Sequence, residues 1–500
     1  MAGSAMTYSM VDYADVQGLV RFGYGRMTSA SYALVRVKNV AAAKAWLLAA
    51  RVTDATEQRP PPTTALQIAF TAPGLTKLGL PDSVMEGFSR EFRTGMSKDF
   101  RARLLGDVGR NAPEHWDWGG PGSEPHLLVM FFAEPERFDS FVQSTKGNTW
   151  DDAFEEVIWL GTSNLDGDEP FSFRDGISQP QIDWDEQRQT PCTQVEYTNI
   201  VALGEFLLGY RNEYGKITDR PLLDPDAANA ELLSAVDTPA KKDLGRNGTY
   251  FVMRQLEQDV RGFWKFLYEQ SGESLEEADQ LGAKMVGRER AGDPLVPIQT
   301  EPIAGTDPQT VTQNQFTYDS DPVGARCPFG AHIRRTNPRN SDFPERRLSA
   351  LRKLIIILGF GPKGFYDDLT SSVRFHRILR RGREYGSELS HEQALQPAPP
   401  NESPRGLHFI CLNANISRQF EFLQNAWIMN TKFSAVSGES DPLLGNREAI
   451  PGCPVTGNFT IPGDSTLRRR VSGLPQFVTV RGGAYFFLPS LRALRYFARA

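Results

Sequence analysis

HLLVMFFAEPERFDSFVQST, His126 to Thr145, and GLHFICLNANISRQFEFLQNAW, Gly406 to Trp427, share one layout. Each opens on an apolar run rich in β-branched and aromatic residues, the composition of a buried strand. A short turn follows, then a segment with helical apolar spacing. A second strand–helix unit precedes each of these. SYALVRV, Ser31 to Val37, runs straight into NVAAAKAWLLAARV, where Asn39 is placed to cap a helix. In the second half GTYFVMRQ, Gly248 to Gln255, is followed by LEQDVRGFWKFLYEQ, again with helical spacing. The chain therefore reads as a duplication. An early and a late strand–helix unit in each half predict an α+β fold of two ferredoxin-like halves, each an antiparallel sheet with helices on one face. LQIAFTAPGLTKLG, Leu66 to Gly79, is a candidate for an intervening strand and turn. A polar, Asp- and Ala-rich stretch from Leu222 to Gly248 marks the boundary, which puts the halves at residues 1–240 and 241–500. Ala291 to Pro344, rich in Pro, Thr, Gln and Asn, reads as a long loop insert of the kind that often carries function.

Composition narrows the function. Five hundred residues with an ordinary apolar fraction supply a large core in two or more domains. A net charge of −6 gives no sign of a nucleic-acid surface. No run of about 18 apolar residues occurs, so no membrane span is expected. The start, MAGSAMTYSMVDYADV, lacks the basic and apolar regions of a secretory signal. A cytoplasmic protein and a processed secreted one would both look like this, so the compartment stays open. Cys192, Cys327, Cys411 and Cys453 are widely spaced with no C-x-x-C pair, which argues against a zinc ribbon or a disulfide scaffold.

Three segments carry chemistry. FSFRDGISQP, Phe171 to Pro180, places Asp175 in a turn where Gly176 can supply positive φ. CPFGAHIRRTNPR, Cys327 to Arg339, holds a histidine beside small residues. RFHRILRRGREYG, Arg374 to Gly386, is an arginine cluster. A carboxylate, a histidine and clustered arginines suit a haem peroxide site. Six histidines are available as iron ligands. His115 and His391 lie in polar, turn-rich surroundings and read as surface residues. His126 and His408 begin matching strands and read as structural or solvent-facing. His376 is crowded by Arg374, Arg377 and Arg380, whose positive charge disfavours a cation bound at its imidazole. His332 remains, with Gly330 and Ala331 leaving room for a flat ring; a hydrogen-bonded loop histidine is the competing reading.

These segments together resemble the dye-decolorizing peroxidases. The likeness rests on FRDGISQPQI, GEFLLGYRNEYG (Gly204 to Gly215), GTYFVMRQLEQDVRGFWKFL, KMVGRERAGDPL (Lys284 to Leu295), CPFGAHIRRTNPR, ILRRGREYG, GLHFICLNANISRQFEFLQ and FVTVRGGAYFFLPSLRAL (Phe477 to Leu494). They run in family order from about residue 170 to the C-terminus, and the first 150 or so residues match in layout more than in motif. The resemblance implies haem b between the two halves, with His332 as the proximal iron ligand and Asp175 and Arg380 as the distal pair. Arg374, Arg377, Arg381 and Arg383 compete with Arg380, which is chosen for its place after Ile378-Leu379 and before Arg381-Gly382. The long interval from His332 to Arg380 points to the multi-insert branch. Arg383 and Glu384 replace more apolar residues of the family pattern, so a charged local surface is expected. Leu407 and Phe409 share one strand face and by resemblance line the distal pocket. Asp441 is the candidate acceptor of the His332 Nδ1–H bond.

The implied reaction reduces hydrogen peroxide, with Asp175 taking and returning a proton and Arg380 stabilising developing charge. Dyes and phenols would supply single electrons. A dye of several rings would not pass Leu407 and Phe409, so Tyr385, five residues beyond Arg380, is expected to relay electrons from the surface. A haem-binding or iron-release protein of the same fold, without peroxide turnover, is the alternative; it needs neither Asp175 nor an arginine. A structural repeat protein without haem would be colourless. The chain is compatible with a homo-oligomer.

Overall fold

The structure is a computed structural model describing residues 11–186, 199–298, 313–339, 373–434, 436–448, 456–463 and 468–499. Cys192 and Cys453, and residues 299–312 and 340–344 of the Ala291–Pro344 insert, lie outside the described residues.

The first half contributes β1 (Ser29–Val37), α1 (Val40–Ala49), β2 (Thr64–Phe70), β3 (Leu127–Ala133), α2 (Phe138–Lys146) and β4 (Phe154–Gly161). The Asn39 side chain caps α1 by accepting from the Ala42 N–H, and Ala43, Trp46 and Leu47 form its buried stripe. The strands lie in the order β4-β1-β3-β2, all neighbours antiparallel. The second half contributes β5 (Thr249–Gln258), α3 (Val260–Gln270), α4 (Leu275–Val286), the short helix α5 (His332–Thr336), β6 (Leu379–Arg380), β7 (Arg383–Tyr385), β8 (Gly406–Asn413), β9 (Val478–Leu488) and α6 (Leu491–Arg499). Here β6 and β7 pair with β8, β8 with β5, and β5 with β9. Numbered within its own half, each sheet has the first and third strands at its centre and the second and fourth at its edges, the ferredoxin-like arrangement. Phe487 of β9 pairs with Phe70 of β2, which joins the two sheets edge to edge.

Two expected boundaries shift. LEQ, Leu256 to Gln258, continues β5, because Asp259 caps α3 from behind by accepting from the Gly262 N–H at 2.8 Å. The segment after β8 is wound as a π-helix over Ser417–Glu421 and Leu423–Met429, so the repeat keeps its layout but not its helix type. Among the described residues, no helix is long and apolar enough to cross a membrane.

Strand alternation sorts side chains to two faces. On β5 and β8, Phe251, Met253, Ile410 and Leu412 pack in one core with Tyr32, Leu34 and Phe132 of the first sheet. Val252, Leu256, Cys411 and the partly buried Leu407 and Phe409 face the other core, beneath the helices. That second face borders a deep cavity.

Candidate haem site

His332 opens α5, and the two residues behind its neighbour Ile333 fix that helix. Arg334 donates to Asp321 Oδ2 (3.0 Å), the Asp321 carbonyl (3.0 Å) and the Cys327 carbonyl (2.6 Å), with its guanidinium over the Tyr318 and Phe329 rings. Arg335 donates to the carbonyls of Trp427 (2.7 Å), Asn430 (3.0 Å) and Glu439 (2.6 Å). Both are almost wholly buried. The RR of HIRRTNPR is thus a pair of internal bolts, since buried guanidinium groups must find acceptors. They aim the imidazole at the cavity.

His332 Nδ1 lies 2.9 Å from Asp441 Oδ2. Asp441 is fully buried, and its Oδ1 accepts from the backbone N–H groups of Leu443 and Leu444, each at 2.9 Å. Burial pulls the imidazole pKa down, but the Asp441 carboxylate outweighs it and leaves it raised. A carboxylate on Nδ1 fixes the ring and leaves Nε2 for a metal. The space at Gly330 goes to another use than a flat cofactor: a Cβ there would meet the Phe459 ring at 3.2 Å.

Asp175 reaches the same cavity from a loop of the first half. Its N–H donates to the Gly167 carbonyl at 3.0 Å, and Gly176 takes φ +77°, the left-handed geometry an Asp-Gly turn uses. Arg380 Nη1 donates to Asp175 Oδ1 at 2.7 Å. Burial pulls the Asp175 carboxyl upward. The Arg380 guanidinium and the Gly176 N–H outweigh that and hold it below the usual carboxylate range. The other four arginines are engaged elsewhere. Arg381 holds the Leu19 and Val20 carbonyls, and Arg383 those of Met27 and Tyr24. Arg377 donates to Asn199, and Arg374 sits 3.9 Å from Glu213. Arg383 and Glu384 are partly exposed, with the Arg383 guanidinium held by carbonyls of the first half.

Leu407 and Phe409 line the cavity with Asp175, Arg380 and His332, while Asp441 stands directly behind His332. Tyr385 is not brought to the cavity. Its strand pairs Tyr385 with Gly406 and Arg383 with His408, which turns Tyr385 to the opposite sheet face. There it is 8 % exposed, with its ring stacked on His408 at 4.6 Å.

Of the remaining histidines, His115, His126 and His408 agree with their sequence reading, and His391 and His376 differ. His408 is buried, with Nε2 3.0 Å from the Gly161 carbonyl. His126 Nδ1 accepts from the Val37 N–H at 2.9 Å, a structural role. His391 is not a free surface residue: it lies 2.9 Å from Arg290 and beside the Trp264 ring. His376 lines the cavity, stacked 3.7 Å from Phe422. Burial, more than neighbouring arginines, pushes it down to about 4. Sequence reasoning also missed Glu169, Gln258, Arg288 and Arg339, which share the cavity wall. Only the alternation of β5 could have found Gln258; the others depend on loops.

The donor set fits haem. A carboxylate-anchored imidazole faces a wall of Leu256, Leu407, Phe409, Phe420 and Leu443, suited to a flat apolar ring. Arg288, Arg339 and Arg377 line the same cavity and suit its carboxylates. Arg254 in the wall is 3 % exposed, and its Nε and Nη1 find no acceptor among the described residues.

Fold and site together define a ferredoxin-like α+β protein with a cavity whose lining suits a haem. No family model matches the chain. Known relatives do. A dye-decolorizing peroxidase of Mycena epipterygia is 31 % identical over 476 residues, covering 88 % of this chain and 77 % of the relative. Dye-decolorizing peroxidase AauDyP1 of Auricularia auricula-judae is 29 % identical over 464 residues, covering 89 % and 78 %. The crystal structure of a decolorizing peroxidase from the same fungus superimposes with a TM-score of 0.71 at 27 % identity, covering 98 % of this chain and all of that one. The chain belongs to the dye-decolorizing peroxidase family, and it is a haem-dependent peroxidase.

Proposed function

We propose that this enzyme reduces hydrogen peroxide at haem b held between the halves 1–240 and 241–500, and takes single electrons from dyes and phenols. The observation that carries the reading is the ion pair between Asp175 and Arg380 on the cavity that His332 also lines. When bound, haem supplies the iron at which the O–O bond is cleaved and the oxidising power that reductants then discharge. His332 holds that iron through Nε2, and Asp441 keeps the imidazole oriented and electron-rich. Asp175 accepts the first peroxide proton and returns it to the leaving oxygen. Arg380 keeps Asp175 ionised and offers fixed positive charge where negative charge develops. Leu407 and Phe409 narrow the approach to a peroxide-sized passage, and Tyr385 serves larger reductants. A haem carrier without turnover would need His332 but no ion pair facing it.

The test is Asp175→Asn in haem-loaded protein, mixed rapidly with peroxide and followed at the Soret band. The expected loss is roughly 10²–10⁴-fold in rate, the range of lost acid–base help. A variant that reacts at the wild-type rate would remove Asp175 from the reaction.

A further inference from the structure

Glu169 sits six residues before Asp175 and lines the same cavity. Its Oε2 accepts from the Phe171 N–H at 3.1 Å and from Gln258 Nε2 at 2.7 Å. Its Oε1 accepts from the Phe173 N–H at 3.2 Å. The two backbone donors flank Ser172, whose φ of +68° lies in the left-handed region that serine rarely adopts. Glu169 closes the same loop through its backbone: its N–H donates to the Phe173 carbonyl at 2.9 Å, and its carbonyl accepts from the Ser172 N–H at 2.7 Å. One side chain therefore grips both sides of the strained residue.

The grip bears on Asp175 from one side of the loop. On the other, the Arg174 N–H donates to the Arg290 carbonyl at 2.9 Å, Arg290 Nε to the Ser172 carbonyl at 3.3 Å, and the Asp175 N–H to the Gly167 carbonyl at 3.0 Å. Phe171 and Phe173 pack against Phe263 and Trp264 of α3, which fixes their rings, while the turn between them is held by Glu169. Two residues on, Asp175 must meet Arg380, which belongs to the other half of the molecule. Without the Glu169 side chain, three donors would lose their acceptor, and the turn at Ser172 would be held only by its backbone bonds and by Arg290. Gln258 stands on β5 two residues from Leu256, a wall residue, so the grip also ties the loop to the sheet that bears Phe409.

From this geometry we infer that Glu169 is a positioning residue: it sets the aim of Asp175 by clamping the left-handed turn at Ser172 to strand β5. The assignment rests on Asp175 being the proton acceptor. The rival role is that of a second acid acting by itself. Burial pushes the Glu169 carboxyl up to about 7, against the pull of Gln258 and the two backbone donors, so it could carry a proton near neutrality. The two roles differ in how Glu169 and Asp175 combine.

The experiment is a double-mutant cycle on the haem-loaded enzyme: wild type, Glu169→Gln, Asp175→Asn and the pair. The glutamine keeps one acceptor oxygen and turns an N–H₂ toward a backbone donor. Glu169→Gln is expected to slow the peroxide reaction about tenfold to a hundredfold, the cost of misplacing a catalytic group by about an ångström. The Soret spectrum of the resting enzyme should not move. In the Asp175→Asn background the same change should cost nothing further, because a residue that acts only by aiming Asp175 has no work left. Losses that multiply, or Glu169→Gln at the wild-type rate beside a slow Asp175→Asn, would overturn the positioning role. Asp175→Asn at the wild-type rate would instead overturn the reading of Asp175, and this assignment with it. Should Glu169→Gln fail to load haem, Gln258→Met removes one donor and leaves Glu169 intact. Its smaller loss must vanish in the Asp175→Asn background in the same way, and a loss that persists there overturns the proposal.

Discussion

Arg380 Nη1 and Asp175 Oδ1 lie 2.7 Å apart although 205 residues separate them in the chain. The carboxylate comes from a loop of the first half and the guanidinium from an edge strand of the second. The pair therefore forms only when these distant segments are brought together, and on the proposed function the peroxide chemistry depends on that assembly.

The pH dependence of the peroxide reaction should follow from this pair. Burial alone would raise the Asp175 carboxyl; Arg380 reverses the sign and lowers it. A lowered pKa keeps the base ionised to more acid pH, and the function is lost only as pH falls through that depressed value. Arg380→Leu leaves burial with less opposition, so the acid limb should move to higher pH. The plateau should also fall by roughly 10²–10³-fold, as charge stabilisation is withdrawn. Rate constants for peroxide measured against pH in both proteins check this. An acid limb that stays in place would mean that another group sets it.

His332 and Asp441 make a second prediction. His332→Ala should bind haem weakly, with an altered Soret band and no turnover. Asp441→Asn keeps the shape but weakens the bond that fixes the ring, which typically costs 10–100-fold in metal affinity or activity. Haem titration of the apoprotein checks both. A fully loaded and active His332→Ala would move the ligand to another histidine, and His376 would be the first to examine, since it already lines the cavity.

The duplicated layout was legible because strand and helix periods are local. Asn39 caps α1, and both late strand–helix units appear where their apolar runs predict. Other features depend on information that no local window holds. Asp259 stops the helix before Leu256 because its side chain is needed at the cap. The arginine cluster could be resolved only by seeing which guanidinium meets a carboxylate and which meet backbone carbonyls. Gly330 looked like room for a cofactor, but Phe459, 129 positions on, fills the space. Glu169 gave no signal at all, because two of its three donors are backbone N–H groups, which every sequence has, and the third, Gln258, lies 89 positions away.

Gly406 offers a test of the wall itself. A Cβ on this residue would lie 1.9 Å from the Leu256 carbonyl oxygen, a backbone atom that can move only with its strand. Gly406 stands directly before Leu407, between β5 and β7. Gly406→Ala should therefore push β8 from β5 and destabilise the fold by about 1–3 kcal/mol, the usual cost of overpacking. Thermal melts of wild type and variant check the stability, and haem titration should show weaker binding as Leu407 shifts. An unchanged melting temperature would mean that the ladder absorbs the methyl group.

The electron path for bulky reductants is the last prediction. Leu407 and Phe409 line the cavity on one face of β8, and His408 between them points to the other face. Tyr385 stacks on His408 with ring centroids 4.6 Å apart and an interplanar angle of 24°. The stack places an oxidisable phenol within one strand's thickness of the cavity wall. Burial pushes the Tyr385 phenol well above its ordinary pKa, so it stays protonated and must release its proton along with an electron. Tyr385→Phe keeps the stack and removes the hydroxyl. Turnover of a large anthraquinone dye should fall, while oxidation of a small phenol and the rate of the peroxide reaction stay unchanged. Equal loss on both substrates would point to a structural role for the hydroxyl. No loss on either would take Tyr385 out of the path. Tyr214 would then be the tyrosine to test: it is 45 % exposed and stacks at 4.1 Å on Phe375, the chain neighbour of the cavity residue His376.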